Sequence, residues 1–139
     1  MVKPDIVRRK ITRAVARLDE AETILCQPPE EFLASPKDRD LASFYLFLGI
    51  QECIDLAAHW VSDEGWGSPD DAASTFLLLA DRRAIDRDLA ERLRGAAGLR
   101  NRIAHGYDTV DHMRIQSEYR DGIAALRRFL AAVATEAGL

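Results

Sequence analysis

The chain has 139 residues, of which 47% are hydrophobic and 30% are charged, a composition typical of one globular domain with a single core. Its net charge of −4 excludes a protein that coats nucleic acid through its whole surface, but it does not exclude a local basic site. Aromatic residues make up 7% of the chain, so the core is expected to be mostly aliphatic.

The N-terminal half predicts two long helices. The first runs from about Pro4 to Leu25, with Pro4 in its first turn and apolar residues at helical spacing behind it. The segment CQPPEEFLASP that follows is typical of a turn-rich break. The second helix runs from about Asp38 to Ser62 and is apolar on most sides, so we expect it to be the central helix of the fold.

Two more helices are predicted in the middle of the chain. Ser68 is expected to cap a short third helix that has Pro69 at its first position and ends near Ala80. The fourth helix starts near Asp86 and stops at Gly106, a residue that suits a left-handed C-terminal cap.

A fifth helix, capped by Asp108 or Thr109, continues to about Ala137. No alternating pattern of apolar and polar residues predicts a strand, and no linker divides the chain. The sequence therefore predicts an all-α, antiparallel bundle of about five helices, in a single domain over residues 1–139.

Membrane insertion and secretion are not expected. The longest nearly uncharged stretch, Leu41–Cys53, is shorter than the roughly 20 apolar residues that span a bilayer. No apolar stretch of a secretory signal follows the charged N-terminus. Cys26 and Cys53 are expected to be free, buried thiols in a reducing cytoplasm, where we expect the protein to reside.

The stretch GLRNRIAHGYDTVDH concentrates polar chemistry at the end of the fourth helix. On that helix Arg100 falls about 20° from Leu89, on the apolar stripe. Such an arginine must find a partner inside the bundle, reach into a cleft, or pair with an acidic residue and extend to solvent. His105 lies about 140° around the axis from Arg100. The two reach one substrate if the helix unwinds at Gly106, or if two protomers pool their motifs.

The chemistry of these residue types suits RNA cleavage. An imidazole titrates near pH ~6.5 and can exchange a proton at neutral pH, while a guanidinium donates two hydrogen bonds to a phosphate. Together they suffice for metal-free cleavage in which the 2′-hydroxyl of the RNA attacks the adjacent phosphorus. On the central helix, Asp55 and His59 lack a third metal ligand and are expected to bond to each other. Alternatively, Asp55 holds Arg100. We expect no metal and no cofactor.

The segment RNRIAHGY resembles the HEPN superfamily and, within it, the HepT-like pattern of Arg, four residues, His, one residue and Tyr. The matching positions are Arg100, His105 and Tyr107, with Asn101 in the polar place that follows the arginine. The segments QECIDLAAHWVSDEG, SPDDAASTFLLLAD and YDTVD are also similar to HepT, so the resemblance covers nearly the whole chain.

This resemblance implies a ribonuclease toxin of a type II toxin–antitoxin module, acting on RNA such as tRNA or mRNA as a HEPN-like homodimer with a composite cleft. It implies Arg100 and His105 as the catalytic pair, with Asn101 and Arg102 in support. The implied antitoxin is an MntA-like nucleotidyltransferase that attaches AMP to Tyr107. The alternative is a non-catalytic HEPN subunit that binds substrate for, or regulates, a nucleotidyltransferase.

Overall fold

The structure is a computed structural model that describes residues 3–139, with every side chain in that range except that of Tyr107. The helices in chain order are α1 (Pro4–Leu25), α2 (Pro29–Ala34), α3 (Pro36–Asp63), α4 (Ala72–Asp81), α5 (Arg87–His105) and α6 (His112–Glu136), and a 3-10 turn, Tyr107–Thr109, joins the last two. Residues 3–139 contain no β-strand, so the predicted all-α class is confirmed.

A short helix, α2, lies where the sequence predicted only a turn-rich break, so the bundle has six helices rather than five. Pro29 takes its first position, where the missing N–H has no helical partner to lose. Glu30 and Glu31 in the first turn favour the positive end of the helix dipole. Phe32 is fully buried and ties this turn of helix to the core. Tandem prolines therefore mark a helix start here, not only a break.

The starts of three helices differ from the prediction by a few residues. Ser35 caps α3, which therefore begins at Pro36 rather than near Asp38. Asp71, not Ser68, caps α4, and its carboxylate accepts a hydrogen bond from the backbone N–H of Ser74 at 2.7 Å. This bond lowers the pKa of the Asp71 carboxyl.

The predicted caps of the last helix are also wrong. Asp111, not Asp108 or Thr109, caps α6 by accepting a hydrogen bond from the backbone N–H of Arg114 at 3.1 Å. The physical reason is that the 3-10 turn takes up Tyr107–Thr109 and moves the start of α6 three residues along the chain.

Polar contacts between the helices fix their directions. On α6, Gln116 donates to the carbonyl oxygen of Leu25 at the end of α1 (3.4 Å), and Arg127 donates to Asp19 further back on α1 (2.8 Å), so α1 and α6 are antiparallel. Arg128 of α6 donates to Asp86, the N-cap of α5, at 3.1 Å, so α5 and α6 are antiparallel as well.

The same reasoning orients the central helix. Lys10 of α1 pairs with Glu52 of α3 at 3.5 Å, whereas a Cβ at Gly49 would lie 2.9 Å from Leu18 Cδ2, so α1 and α3 are antiparallel and closely packed. One end of the bundle therefore holds the start of α3, the end of α5 and the start of α6. We call it the motif end, because residues 100–107 lie there.

The core is continuous and mostly aliphatic, with an aromatic cluster at the opposite end. Phe129 of α6 packs edge-on against Phe76 of α4, with 5.4 Å between ring centroids, and it also contacts Trp60 of α3. By length and composition alone α3 could cross a membrane, contrary to the sequence-based expectation. Half of its most apolar 18-residue window is buried inside the bundle, which is what a core helix also shows.

Candidate functional site

Arg100 occupies the core-facing side of α5, as the sequence predicted. The buried residues Leu89, Leu93 and Ala97 precede it on the same stripe. Its side chain is half-buried, and its Nε is shielded from solvent without a hydrogen-bond partner in the part of the chain that the structure describes. A donor of this kind is costly to leave unmatched, so Arg100 has unused hydrogen-bonding capacity on the core-facing side of α5.

The expected support of Arg100 by Asp55 is wrong. The Asp55 carboxylate lies 3.6 Å from Nζ of Lys10 and accepts a hydrogen bond from Gln51 at 2.9 Å. The expected bond between Asp55 and His59 is also wrong, because His59 is exposed and, within residues 3–139, is not among the partners of Asp55. Lys10 is the reason, since α1 packs beside this face of α3 and supplies the cation that the carboxylate needs.

His105 is the last residue of α5 and is exposed to solvent. The helix keeps its hydrogen bonds up to this point, with the N–H of Gly106 donating to the carbonyl oxygen of Arg102 at 2.9 Å. The helix is regular through His105 and ends at Gly106, so the backbone positions of Arg100 and His105 keep the separation of about 140° that an ideal helix predicts. An imidazole that turns back at the helix end and a site pooled from two copies both stay predictions.

Gly106 ends α5, but it does not do so through a left-handed cap as predicted. Its φ is −153°, in the extended region. Glycine is needed for a different reason: a Cβ at this position would overlap Oγ1 of Thr109. Both the N–H and the hydroxyl of Thr109 donate to the carbonyl oxygen of Gly106, at 2.7 and 2.6 Å. This tight turn fixes the direction in which the chain leaves His105.

Arg102 and Asn101 lie on other sides of α5. Both are exposed. Arg102 borders an open groove of about 440 Å³ between α3, α5 and α6, together with Arg92 and Arg114. Arg100 and His105 do not line this groove. Within one chain, the structure thus places Arg102 in a groove apart from the proposed catalytic pair. The predicted role of Tyr107 lies outside the described residues.

Unpartnered polar atoms gather at the motif end, and sequence reasoning missed most of them. The described chain has five buried side-chain atoms without a hydrogen-bond partner, namely Arg39 Nε, Ser43 Oγ, Glu52 Oε2, Arg100 Nε and His112 Nδ1. Glu52 is paired with Lys10 as an ion. The other four lie in the first eight residues of α3, the last two turns of α5 and the first turn of α6.

His112, the first residue of α6, is not a fully solvated surface residue. Its imidazole is half-buried, and burial lowers its pKa, with a further lowering from the positive charge of Arg39 on α3. Asp40 and Asp111 act in the opposite direction but more weakly. A signal was present in the sequence, since Arg39 and Ser43 begin the same stripe of α3 that continues into buried apolar residues.

The described side chains bear on two other kinds of site, a metal site and a cysteine nucleophile. Within residues 3–139, no group of three or more His, Cys, Asp and Glu side chains could hold a metal ion. Burial raises the pKa of the Cys53 thiol to about 12, which removes it as a nucleophile near neutral pH. Cys26 is free as predicted, but it is exposed rather than buried, because it follows the last residue of α1.

Comparison with known proteins finds relatives across almost all of the chain. Residues 11–133 match the family described as Ribonuclease HepT-like. The mRNA nuclease HepT of Shewanella oneidensis is 33% identical over 61 residues, or 44% of this chain and 46% of that protein. The tRNA nuclease HepT of Aphanizomenon flos-aquae is 24% identical over 110 residues, or 79% of this chain and 75% of that protein.

A solved structure has the same fold. It is the tri-AMPylated HEPN toxin of Shewanella oneidensis in complex with an MNT antitoxin, and it superposes with a TM-score of 0.87 over 94% of this chain and 98% of that one, at 21% identity. The helical architecture and the family match agree with the resemblance seen in the segment RNRIAHGY. The chain belongs to the Ribonuclease HepT-like family.

Proposed function

We propose that the protein is a metal-independent endoribonuclease toxin, acting as a homodimer of a single-domain chain (residues 1–139) in the cytoplasm. The observation that carries the proposal is the state of Arg100: a guanidinium on the core-facing stripe of α5 whose buried Nε has no partner within the described residues. A scissile phosphate supplies the acceptor that this group lacks. Membership of a ribonuclease family supports the same conclusion.

The proposed chemistry is an internal displacement at phosphorus. His105 accepts the proton of the substrate 2′-hydroxyl as its oxygen attacks, or donates a proton to the departing 5′-oxygen. Arg100 holds the phosphate and stabilises the charge that develops on its oxygens. The P–O5′ bond breaks, and the products are a 2′,3′-cyclic phosphate and a 5′-hydroxyl. His105 is suited to proton exchange because it is exposed at the helix end.

The dimer is proposed because one helix does not direct both groups to one point. Arg100 and His105 lie five residues apart on a helix that stays regular to its end, and we infer that a second copy supplies the complementary group. Asn101 and Arg102 are proposed to assist, Asn101 by orienting the histidine or phosphate and Arg102 by holding neighbouring RNA. In this scheme, two copies of the motif line one cleft.

Control by a partner follows from the same site. We propose that an MntA-like nucleotidyltransferase neutralises the toxin by attaching AMP to Tyr107, two residues after His105. The added phosphate would compete with RNA for Arg100 and Arg102, and the adenosine would block entry. The AMPylated toxin complex of Shewanella oneidensis makes this mode of control a natural one to test. We propose that the substrate is a tRNA or an mRNA.

The experiment that tests the proposed function is product analysis. Purified protein is incubated with total tRNA and with an mRNA, and the new ends are mapped. Ends that accept 5′-phosphorylation without prior phosphatase treatment, together with 2′,3′-cyclic phosphates, are the expected result. If protein that binds RNA leaves it intact under all conditions, the chain is instead the non-catalytic binding or regulatory subunit.

A further inference from the structure

Arg39 of α3 and His112 of α6 form a second polar pair at the motif end, in addition to the motif residues of α5. Both side chains are half-buried, and each carries a nitrogen that is shielded from solvent and unmatched: Nε in Arg39 and Nδ1 in His112. The positive charge of Arg39 lowers the pKa of His112, and the two residues lie at the same end of α3 and α6, which pack against each other.

Arg39 differs from most arginines of the described chain. Eight of them, Arg8, Arg13, Arg87, Arg92, Arg94, Arg114, Arg127 and Arg128, pair with a carboxylate. Arg39 has no carboxylate within 4.0 Å in residues 3–139. Arg17, Arg82 and Arg120 lie over aromatic rings. A guanidinium that is half-buried yet has neither kind of partner lacks an anion.

The carboxylates nearby are committed elsewhere or lie on the outer surface. Asp38 accepts a hydrogen bond from Gln27 at 3.1 Å. Asp111 caps α6 through the N–H of Arg114. Asp40 is exposed, and its effect on His112 is weaker than that of Arg39. Within residues 3–139, none of these three carboxylates forms an ion pair with Arg39.

We propose that Arg39 and His112 bind a phosphate of the RNA strand next to the scissile one, and so position the substrate for the motif on α5. This deepens the proposed function and rests on it for the identity of the strand. The chain runs from His105 to His112 through the tight turn at Gly106, so both sites lie at the same end of the bundle. The guanidinium of Arg39 and the imidazole of His112 are both half-buried, and groups of both kinds can donate hydrogen bonds to a phosphate oxygen.

These two are positioning residues, and their loss should appear in binding rather than in the chemical step. We expect Arg39→Gln to weaken binding about tenfold or more, the change that follows from losing a charge-assisted hydrogen bond to a phosphate. The loss should raise KM for RNA by a similar factor and leave kcat within about twofold. His112→Gln should have a smaller effect in the same direction.

Binding is measured by fluorescence anisotropy with a single-stranded oligonucleotide that carries 2′-O-methyl groups, because it cannot attack its own phosphate. The matched control is Arg9→Gln, which removes the same charge from an exposed arginine near the start of α1, at the opposite end of the bundle. It should change affinity by less than about twofold. Inorganic phosphate serves as a second probe. A site that recognises only free phosphate would bind inorganic phosphate as tightly as the oligonucleotide.

Structural and binding roles are separated by thermal melting and by the charge-conserving variant Arg39→Lys. If Arg39 lacks an internal partner, Arg39→Gln should not lower Tm, and Arg39→Lys should recover part of the affinity. A lower Tm together with lost binding in both variants would overturn the proposal, because Arg39 would then be holding the fold.

A readout on the unaltered protein does not depend on any substitution. Nuclear magnetic resonance of the three histidines should show the pKa of His112 rising when the oligonucleotide binds, since a phosphate beside it opposes burial and the charge of Arg39. An unchanged His112 titration at saturating oligonucleotide contradicts the proposal. If Arg39→Gln cleaves RNA with an unchanged KM, this inference is wrong and the proposed function is unaffected. If the wild-type protein binds RNA through Arg39 but does not cleave it, the proposed function is wrong and this inference is unaffected.

Discussion

The hydroxyl of Thr109 donates a 2.6 Å hydrogen bond to the carbonyl oxygen of Gly106, and a Cβ at Gly106 would overlap this hydroxyl unless the Thr109 side chain moved and gave up the bond. This turn lies immediately after His105 and sets the path of the chain from α5 to α6. The position of the proposed general base therefore depends on a glycine that is required by close contact and not by a left-handed backbone.

Gly106→Ala should destabilise the protein by about 1–3 kcal/mol, the usual effect of forcing an extra methyl into occupied space. The control is Gly95→Ala, because a Cβ at Gly95 meets nothing within 4 Å. An alanine in that exposed helical position should raise the free energy of unfolding by about 0.5–1 kcal/mol. Urea denaturation measures both. Equal effects of the two substitutions would show that the turn is not as tight as described.

The sequence predicted the parts of the fold that depend on local pattern. The helical stripe ending at Arg100, the stop of α5 before Gly106 and the central position of α3 were all evident from residue spacing. The caps were less predictable, because Ser68 and Asp108 satisfy the same local rule as Asp71 and Asp111. Which of two competing caps is used depends on how the preceding turn is built.

Tertiary proximity was not predictable from the same patterns. Lys10 lies forty-five residues before Asp55 in the chain, so nothing local indicated that it would neutralise that carboxylate instead of Arg100. The effect of Arg39 on the pKa of His112 likewise depends on how α3 and α6 pack together. Motif residues were found because they are close in sequence, whereas these partners were found only once the helices were placed.

The two cysteines should differ in reactivity in the folded protein. Cys26 is exposed, whereas burial raises the pKa of Cys53 from its ordinary 9.0 to about 12. A thiol-reactive disulfide reagent at pH 8 should label one thiol per chain quickly and the other only after denaturation. The Cys26→Ser variant, as control, should lose the fast phase. Two equally fast phases in the wild-type protein would contradict the burial of Cys53.

The raised pKa of Cys53 also predicts how the free energy of unfolding depends on pH. Above about pH 9 the Cys53 thiol ionises in the unfolded chain but stays protonated in the folded one, so the unfolded state binds fewer protons. The contribution of this group is therefore fully present below pH 9 and is lost as the pH rises toward 12. Cys53→Ala should flatten this part of the stability profile, measured by urea denaturation between pH 8 and 11.

Tyr107→Phe should retain cleavage and escape neutralisation by the proposed nucleotidyltransferase antitoxin, because the acceptor hydroxyl for AMP is missing. Mass spectrometry after co-expression should place AMP on Tyr107 of the wild-type protein and on neither Tyr45 nor Tyr119. Tyr119 is buried in the groove wall and serves as an internal control. Inhibited wild-type protein without modification at Tyr107 would point to direct masking by the antitoxin.

The shared site of the proposed dimer can be tested by mixing two inactive variants. If the arginine of one copy works with the histidine of the other, a mixed dimer of Arg100→Ala and His105→Ala contains one intact and one dead site. After refolding an equal mixture, about a quarter of wild-type activity should return, since about half of the dimers are mixed. If each site is contained within a single chain, no activity should return. A monomer mass by light scattering would exclude a site shared between two chains.

The most direct test of the central claim is RNA cleavage in excess EDTA by the wild-type protein, Arg100→Ala and His105→Ala. The account predicts that the wild-type protein cleaves at an undiminished rate in the chelator. Each substitution should reduce cleavage by at least about a hundredfold, which is typical of removing a general base or the group that stabilises phosphate charge. Circular dichroism should show both variants folded. Cleavage that is abolished by EDTA and returns only with a divalent ion, or that persists in folded His105→Ala, would contradict it.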